Sequence, residues 1–246
     1  MSFPITPAME TFATVICAGL IIMGISHLLD HIWAHSLRYP SFYLIVSAPG
    51  VILHECAHVI GCLITGAKIK KVVLLSKEGG MVSYSPPAIP VLGDVIISTA
   101  PLFFLPLVLA AFTWLFGTFA GCSFSTAVPS LGSIESLYPL VAAIGTTLYQ
   151  NLIVVFNPWF ILYLYLVTSL ALSFSPSVQD LKNALTGLVI LAIAGICLLA
   201  LNIPAVTGGF LLLLGLIGTG LAIGLAFGIV ALLVSLPALL FYRSAS

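Results

Sequence analysis

His54, Glu55 and His58 stand within Val51-Ile52-Leu53-His54-Glu55-Cys56-Ala57-His58, a His-Glu-x-x-His pattern. On a helix, positions i and i+4 share a face, so both imidazoles can reach one metal ion. Glu55 then lies beside that ion, where its carboxylate can draw a proton from water. Metal-assisted hydrolysis is the chemistry such a trio serves. Random placement accounts for it poorly: five His and four Glu among 246 residues give roughly 0.002 such patterns.

A tetrahedral catalytic zinc needs a third protein ligand and an open position. Glu10, Asp30 and Asp94 lie near the ends of apolar runs, and Glu78 and Glu135 lie in polar loops. Asp180 is different. It follows the break Ser175-Pro176-Ser177-Val178-Gln179 between two apolar runs and can dip into a bilayer where protein covers it. Its competing role is a carboxylate at a helix N-terminus, favoured by the helix dipole. His27, His31 and His35 recur every four residues beside Asp30. They fall where the first apolar run ends, and read as an interfacial polar face or an accessory metal site.

The elements that must position these residues follow from composition. The 246 residues (25.9 kDa) are 61% hydrophobic and 6% charged, with a mean hydropathy of +1.26. A soluble domain carries roughly 25% charged residues, so soluble and disordered classes are excluded. Seven Lys+Arg balance seven Asp+Glu, which leaves no basic stripe for nucleic acid. Long unbroken apolar runs, in place of short alternating segments, select helices over a transmembrane β-barrel. The fold class is an all-α polytopic membrane protein in a cell membrane.

The apolar runs are Thr11 to Leu29, Phe42 to Thr65, Gly93 to Gly117, Pro158 to Phe174, Leu181 to Leu201 and Val206 to Tyr242. About six transmembrane helices are expected, with six to eight possible. Residues 139 to 157 add a partial or interfacial helix. The last run is one long tilted helix or a hairpin turning near Gly218-Thr219-Gly220. Between the second and third runs, two β-prone stretches flank Gly79-Gly80 and predict a short β-hairpin. His54 lies about 17 Å from the end of its run at Thr65, deep enough that polar groups there usually signal function.

Cations give the orientation. With six spans, Lys68, Lys70, Lys71, Lys77, Lys182 and Arg243 share one side against Arg38, which puts hairpin 66–90 in the cytoplasm. Gly220, Gly224 and Gly228 form a small-residue stripe. It suits close packing within the chain or a homo-oligomer contact.

Four features in order resemble the site-2 protease family of intramembrane zinc metalloproteases. They are His54-Glu55-Cys56-Ala57-His58 in a membrane helix; the Gly66 turn and the hairpin with Gly79-Gly80; Ser98-Thr99-Ala100-Pro101-Leu102, similar to the family's Ala-Gly-Pro-Leu pattern; and Asp180 after Ser173-Phe174-Ser175-Pro176. The last stands where the family has an Asn-x-x-Pro segment and a Leu-Asp-Gly. The chain departs from that pattern twice: Leu172 or Ser173 stands near the place of the Asn, and Leu181 follows Asp180 in place of Gly. The resemblance covers about 42 to 190 of a single membrane domain, 1–246. Residues 1–41 and 191–246 then supply accessory helices.

The resemblance implies one zinc per chain held by His54, His58 and Asp180, with Glu55 as general base. It implies peptide-bond hydrolysis in or near the transmembrane helix of a membrane-protein substrate. A prenyl-protein-processing zinc protease is disfavoured, because such enzymes take a later Glu as third ligand and none follows Glu135. A non-proteolytic metal-binding or partner-binding membrane protein of the same fold is the alternative.

Overall fold

The computed structural model describes residues 7–36, 40–76, 79–125, 137–174, 178–201 and 203–242. Seven α-helices and one hairpin are found among the described residues. They are α1 (Pro7–Ser36), α2 (Pro40–Thr65), β1 (Ile69–Val73), β2 (Met81–Tyr84), α3 (Pro90–Phe119), α4 (Leu137–Tyr149), α5 (Pro158–Leu172), α6 (Val178–Leu201) and α7 (Pro204–Tyr242). Among the described residues, four helices are long and apolar enough to cross a membrane, over Ala8–Leu29, Tyr43–Thr65, Leu92–Phe119 and Pro204–Ile229. The chain is a helical membrane protein with a two-stranded antiparallel hairpin.

Helix α2 ends in a Schellman turn. Gly66 takes φ +69, Ala67 N–H donates to Cys62 O at 2.9 Å, and Gly66 N–H donates to Leu63 O at 3.4 Å. This turn sends the chain directly into β1. The register pairs Val72 with Val82 and Val73 with Met81, with a bulge between Ile69 and Lys71. Ile69, Val82 and Tyr84 pack onto Cys62, Ala67 and Ile97, which fixes the hairpin to α2 and α3. Lys68, Lys70 and Lys71 are exposed.

Close contacts set the helix directions. Phe12 meets Phe210 with ring centroids 5.8 Å apart, Gly218 faces Val15, Gly224 faces Ile22 and Gly228 faces Ile25. Sequence numbers rise together in these pairs, so α1 and α7 run parallel. Gly220 meets the backbone of Pro106 and Gly224 meets Leu109, so α3 runs the same way. Helix α5 runs with α2, since Ile45, Gly50 and His54 meet Tyr165, Ser169 and Ser173 in turn.

An even number of alternating spans would set α1 and α7 antiparallel, so the parallel pair departs from the six-span expectation. The difference lies in α6. It leaves from beside α2, and its Gly195 lies against Phe12, the ring that meets Phe210 near the start of α7. Its far end therefore returns to the end of the bundle where α1 and α7 begin.

The last run and the glycine stripe each take a definite form within the chain. The last apolar run is one continuous 39-residue helix with no turn at Gly218-Thr219-Gly220. The glycine stripe, open in the sequence between intrachain packing and a homo-oligomer contact, is occupied within the chain. Gly220 abuts α3, and Gly224 and Gly228 abut α1. The absence of side chains there lets helices approach to backbone contact, the packing that apolar solvent favours.

The segment before α5 is α4 followed by a π-helical turn, Gln150–Val154. Asn151, 2% exposed, receives Ser123 N–H on Oδ1 at 2.9 Å and donates from Nδ2 to Ser123 O at 2.6 Å and Thr147 O at 2.8 Å. Asn157 donates to Ala120 O and caps α5 through Trp159 N–H. The buried amide of Asn151 and the half-buried one of Asn157 thus tie the loop after α3 to the segment that leads into α5.

Candidate metal centre

His54, Glu55 and His58 lie near the middle of α2 and are 8%, 7% and 6% exposed. Asp180 lies in the first turn of α6. His58 Nε2 is 3.6 Å from Asp180 Oδ2. One ligand atom from each of His54, His58 and Asp180 lies within 4.8 Å of the others, the one grouping among the described residues able to hold a metal ion. Ligands about 2 Å from a tetrahedral zinc stand roughly 3.3 Å apart; the donor types suit that ion, the His58–Asp180 pair is near this spacing, and the full set would close inward on binding.

The orientation of the rings is a stronger test of fit. His54 Nδ1 lies 2.7 Å from Ser173 O, and His58 Nδ1 lies 2.8 Å from Ile97 O. A carbonyl only accepts, so each Nδ1 carries a proton, and in the neutral ring each Nε2 then presents its lone pair. Metal-binding histidines are commonly held this way. The rings sit edge to face with centroids 4.9 Å apart.

Both acceptor carbonyls are spare ones. Ser173 caps the C-terminus of α5, where carbonyls lack helical donors. Ile97 lies four residues before Pro101, inside α3, and proline has no N–H to give it. Glycines let these helices close on α2. A β-carbon at Gly50 would overlap Ser169 O, and one at Gly61 would fall 2.9 Å from Ile97 Cα. Gly50 N–H also donates to Ser169 Oγ at 2.8 Å. Gly50, His54, His58 and Gly61 lie at i, i+4, i+8 and i+11, one face of α2.

Sequence reasoning named His54, Glu55, His58 and Asp180, and the fold brings all four together. It missed Ile97, Ser173 and Gly80. The first had a readable signal, a proline four residues downstream within an apolar helix. Gly80 precedes β2 and lies against the Glu55 side chain, a contact no spacing reveals. Beyond it, Tyr84 donates to Asp94 at the start of α3; burial first, then the Asp94 charge, push its phenol up to about 12. It stays protonated at any physiological pH.

Of the second histidine set, His27 and His31 lie outside this grouping. His27 and His31 are exposed on α1; the side chains of Asp30 and His35 lie outside the described residues.

No protein-family model matches the chain, and no curated protein or solved structure is similar to it.

Proposed function

We propose that this protein is an intramembrane zinc metalloprotease. It is read as a divergent relative of the site-2 proteases, hydrolysing peptide bonds in or near transmembrane helices of other membrane proteins. One observation carries the reading. His54, His58 and Asp180 bring three ligand atoms within 4.8 Å, the two histidines within a helix long and apolar enough to cross a membrane, with Glu55 on the same helix turn.

Zinc bound there would polarise the scissile carbonyl and lower the pKa of water toward ~7. His54 and His58 would hold it through Nε2, and Asp180 through a carboxylate oxygen. Ser173 O and Ile97 O keep both rings in the binding tautomer. Glu55 takes a proton from the attacking water and returns it to the leaving amine. The helices around α2 limit the access of water to the site. A helical substrate hides its backbone and must unwind before attack. We assign the unwound strand to the hairpin, whose unpaired edge can add a strand and whose Gly80 abuts Glu55.

The proposed setting is a multi-pass position in a cell membrane with the hairpin in the cytoplasm. Exposed Lys68, Lys70 and Lys71 beyond the end of α2 support that side. In place of six equivalent spans, the alternating directions of α1, α2, α3, α5 and α7 support five crossings, with α6 beginning at the metal centre.

The test is proteolysis of a library of tagged single-span helices, co-reconstituted with wild type or Glu55→Gln. Wild type should release fragments, and Glu55→Gln should release none while retaining zinc. Equal cleavage by both would exclude the mechanism.

A further inference from the structure

Helix α3 carries two prolines in its interior, Pro101 and Pro106, and only one serves a residue of the metal centre. In an unbroken helix the N–H of residue 101 would donate to the carbonyl of residue 97. Pro101 removes that donor. The carbonyl it releases, Ile97 O, is the atom 2.8 Å from His58 Nδ1. The same arrangement recurs in α2. Pro49 releases Ile45 O, and Tyr165 of α5 donates its hydroxyl there at 2.7 Å. Twice, therefore, a proline opens a carbonyl that a neighbouring helix fills with a side-chain donor.

Gly61 completes the arrangement at His58. It sits three residues beyond the ring, where a β-carbon would fall 2.9 Å from Ile97 Cα and 3.3 Å from Ala100 Cβ. Without that close approach of α3, the released carbonyl would lie beyond the reach of the imidazole.

We propose that Pro101 is a positioning residue for the metal centre. It withholds a helical donor from Ile97 O and so reserves that carbonyl for His58 Nδ1–H, which holds Nε2 toward Asp180. The proposal rests on His54, His58 and Asp180 being a zinc site. Pro101 touches neither metal nor substrate; it acts through His58. Hydrogen-bond partners of metal-binding histidines are worth about 10- to 100-fold in metal affinity. Pro101→Ala supplies an N–H, and the restored helical bond draws Ile97 O back toward the axis of α3. A purely structural proline would behave oppositely, because alanine is the better helix former.

Pro106 is the control. It releases Leu102 O by the same logic, and its own backbone meets Gly220 of α7, on the side of the helix packing and away from the ligands. The experiment measures zinc affinity of the purified full chain in detergent by competition with a chromogenic chelator. Wild type, Pro101→Ala and Pro106→Ala are compared, and the visible spectrum of each cobalt(II)-loaded protein reports ligand geometry. The expected result is about 10- to 100-fold weaker zinc binding and an altered cobalt spectrum in Pro101→Ala alone. Tight zinc binding by all three proteins, or equal weakening in both variants, would overturn the role of Pro101 and leave the zinc site standing. A wild type that binds no zinc would overturn the zinc site and this role together.

Discussion

Gly80 lies against the side chain of Glu55: a β-carbon at Gly80 would fall 2.7 Å from Glu55 Oε1 and closer still to its Cγ. The contact joins the hairpin to the candidate general base. Glu55 is a flexible side chain, so Gly80→Ala should displace the carboxylate without unfolding the hairpin. Misplacing a catalytic group by about 1 Å can cost about 100-fold in rate. Gly80→Ala should therefore keep its zinc while cleavage of a helical substrate falls by about that factor. Elemental analysis beside a cleavage assay checks both, and unchanged cleavage would detach the hairpin from the site.

The α3–α7 contact should be intolerant of even one methyl group. A β-carbon at Gly220 would overlap the Pro106 backbone, whereas one at Gly208 meets nothing within 4 Å. Overpacking of this kind costs about 1–3 kcal/mol. Gly220→Ala should lower the unfolding temperature in detergent, and Gly208→Ala should leave it unchanged or higher.

Asn151 should matter for folding and not for metal. Its amide satisfies Ser123 N–H, Ser123 O and Thr147 O. Removing it breaks three hydrogen bonds, each worth about 0.5–1.5 kcal/mol. The loop it ties lies beyond the far end of α3, roughly 33 Å along the helix from Ile97. Asn151→Ala should lower thermal stability and leave zinc affinity within error of wild type.

Tyr84 gives a pH signature. Its phenol is raised in the folded chain to about 12 by burial and by Asp94, against about 10 when unfolded. The raised value means that the unfolded chain loses this proton first. The stabilising contribution is complete below about pH 10 and is lost as pH rises through about 12. Denaturation midpoints should therefore fall across that window, and Tyr84→Phe should flatten the fall. An identical slope in the variant would show that another group governs it.

Spacing made His54, Glu55 and His58 legible, because one helix turn separates them and no tertiary contact is needed to see it. Asp180 was legible for a different reason, as a carboxylate stranded between apolar runs. The hairpin followed from two β-prone stretches around Gly79-Gly80. Span counting was less informative, since hydropathy records how long a run is and not which way it points. Val178–Leu201 is 24 residues long, yet its start at Asp180 belongs beside His58. The glycines at 218 and 220 resembled a turn but serve contact, with Val15 on one side and Pro106 on the other. Ile97 and Ser173 act through backbone carbonyls, which every residue possesses, so their roles emerge only from the packing of α3 and α5 on α2.

The proposed function rests on His54, His58 and Asp180 forming one zinc site. Its most direct test is the zinc content of detergent-purified protein prepared without chelators, wild type beside His54→Ala and Asp180→Ala. About one zinc per wild-type chain is expected, with loss of that zinc in both variants. Full retention by Asp180→Ala would contradict the assignment of the third ligand, and a wild type without zinc would contradict the site as a whole.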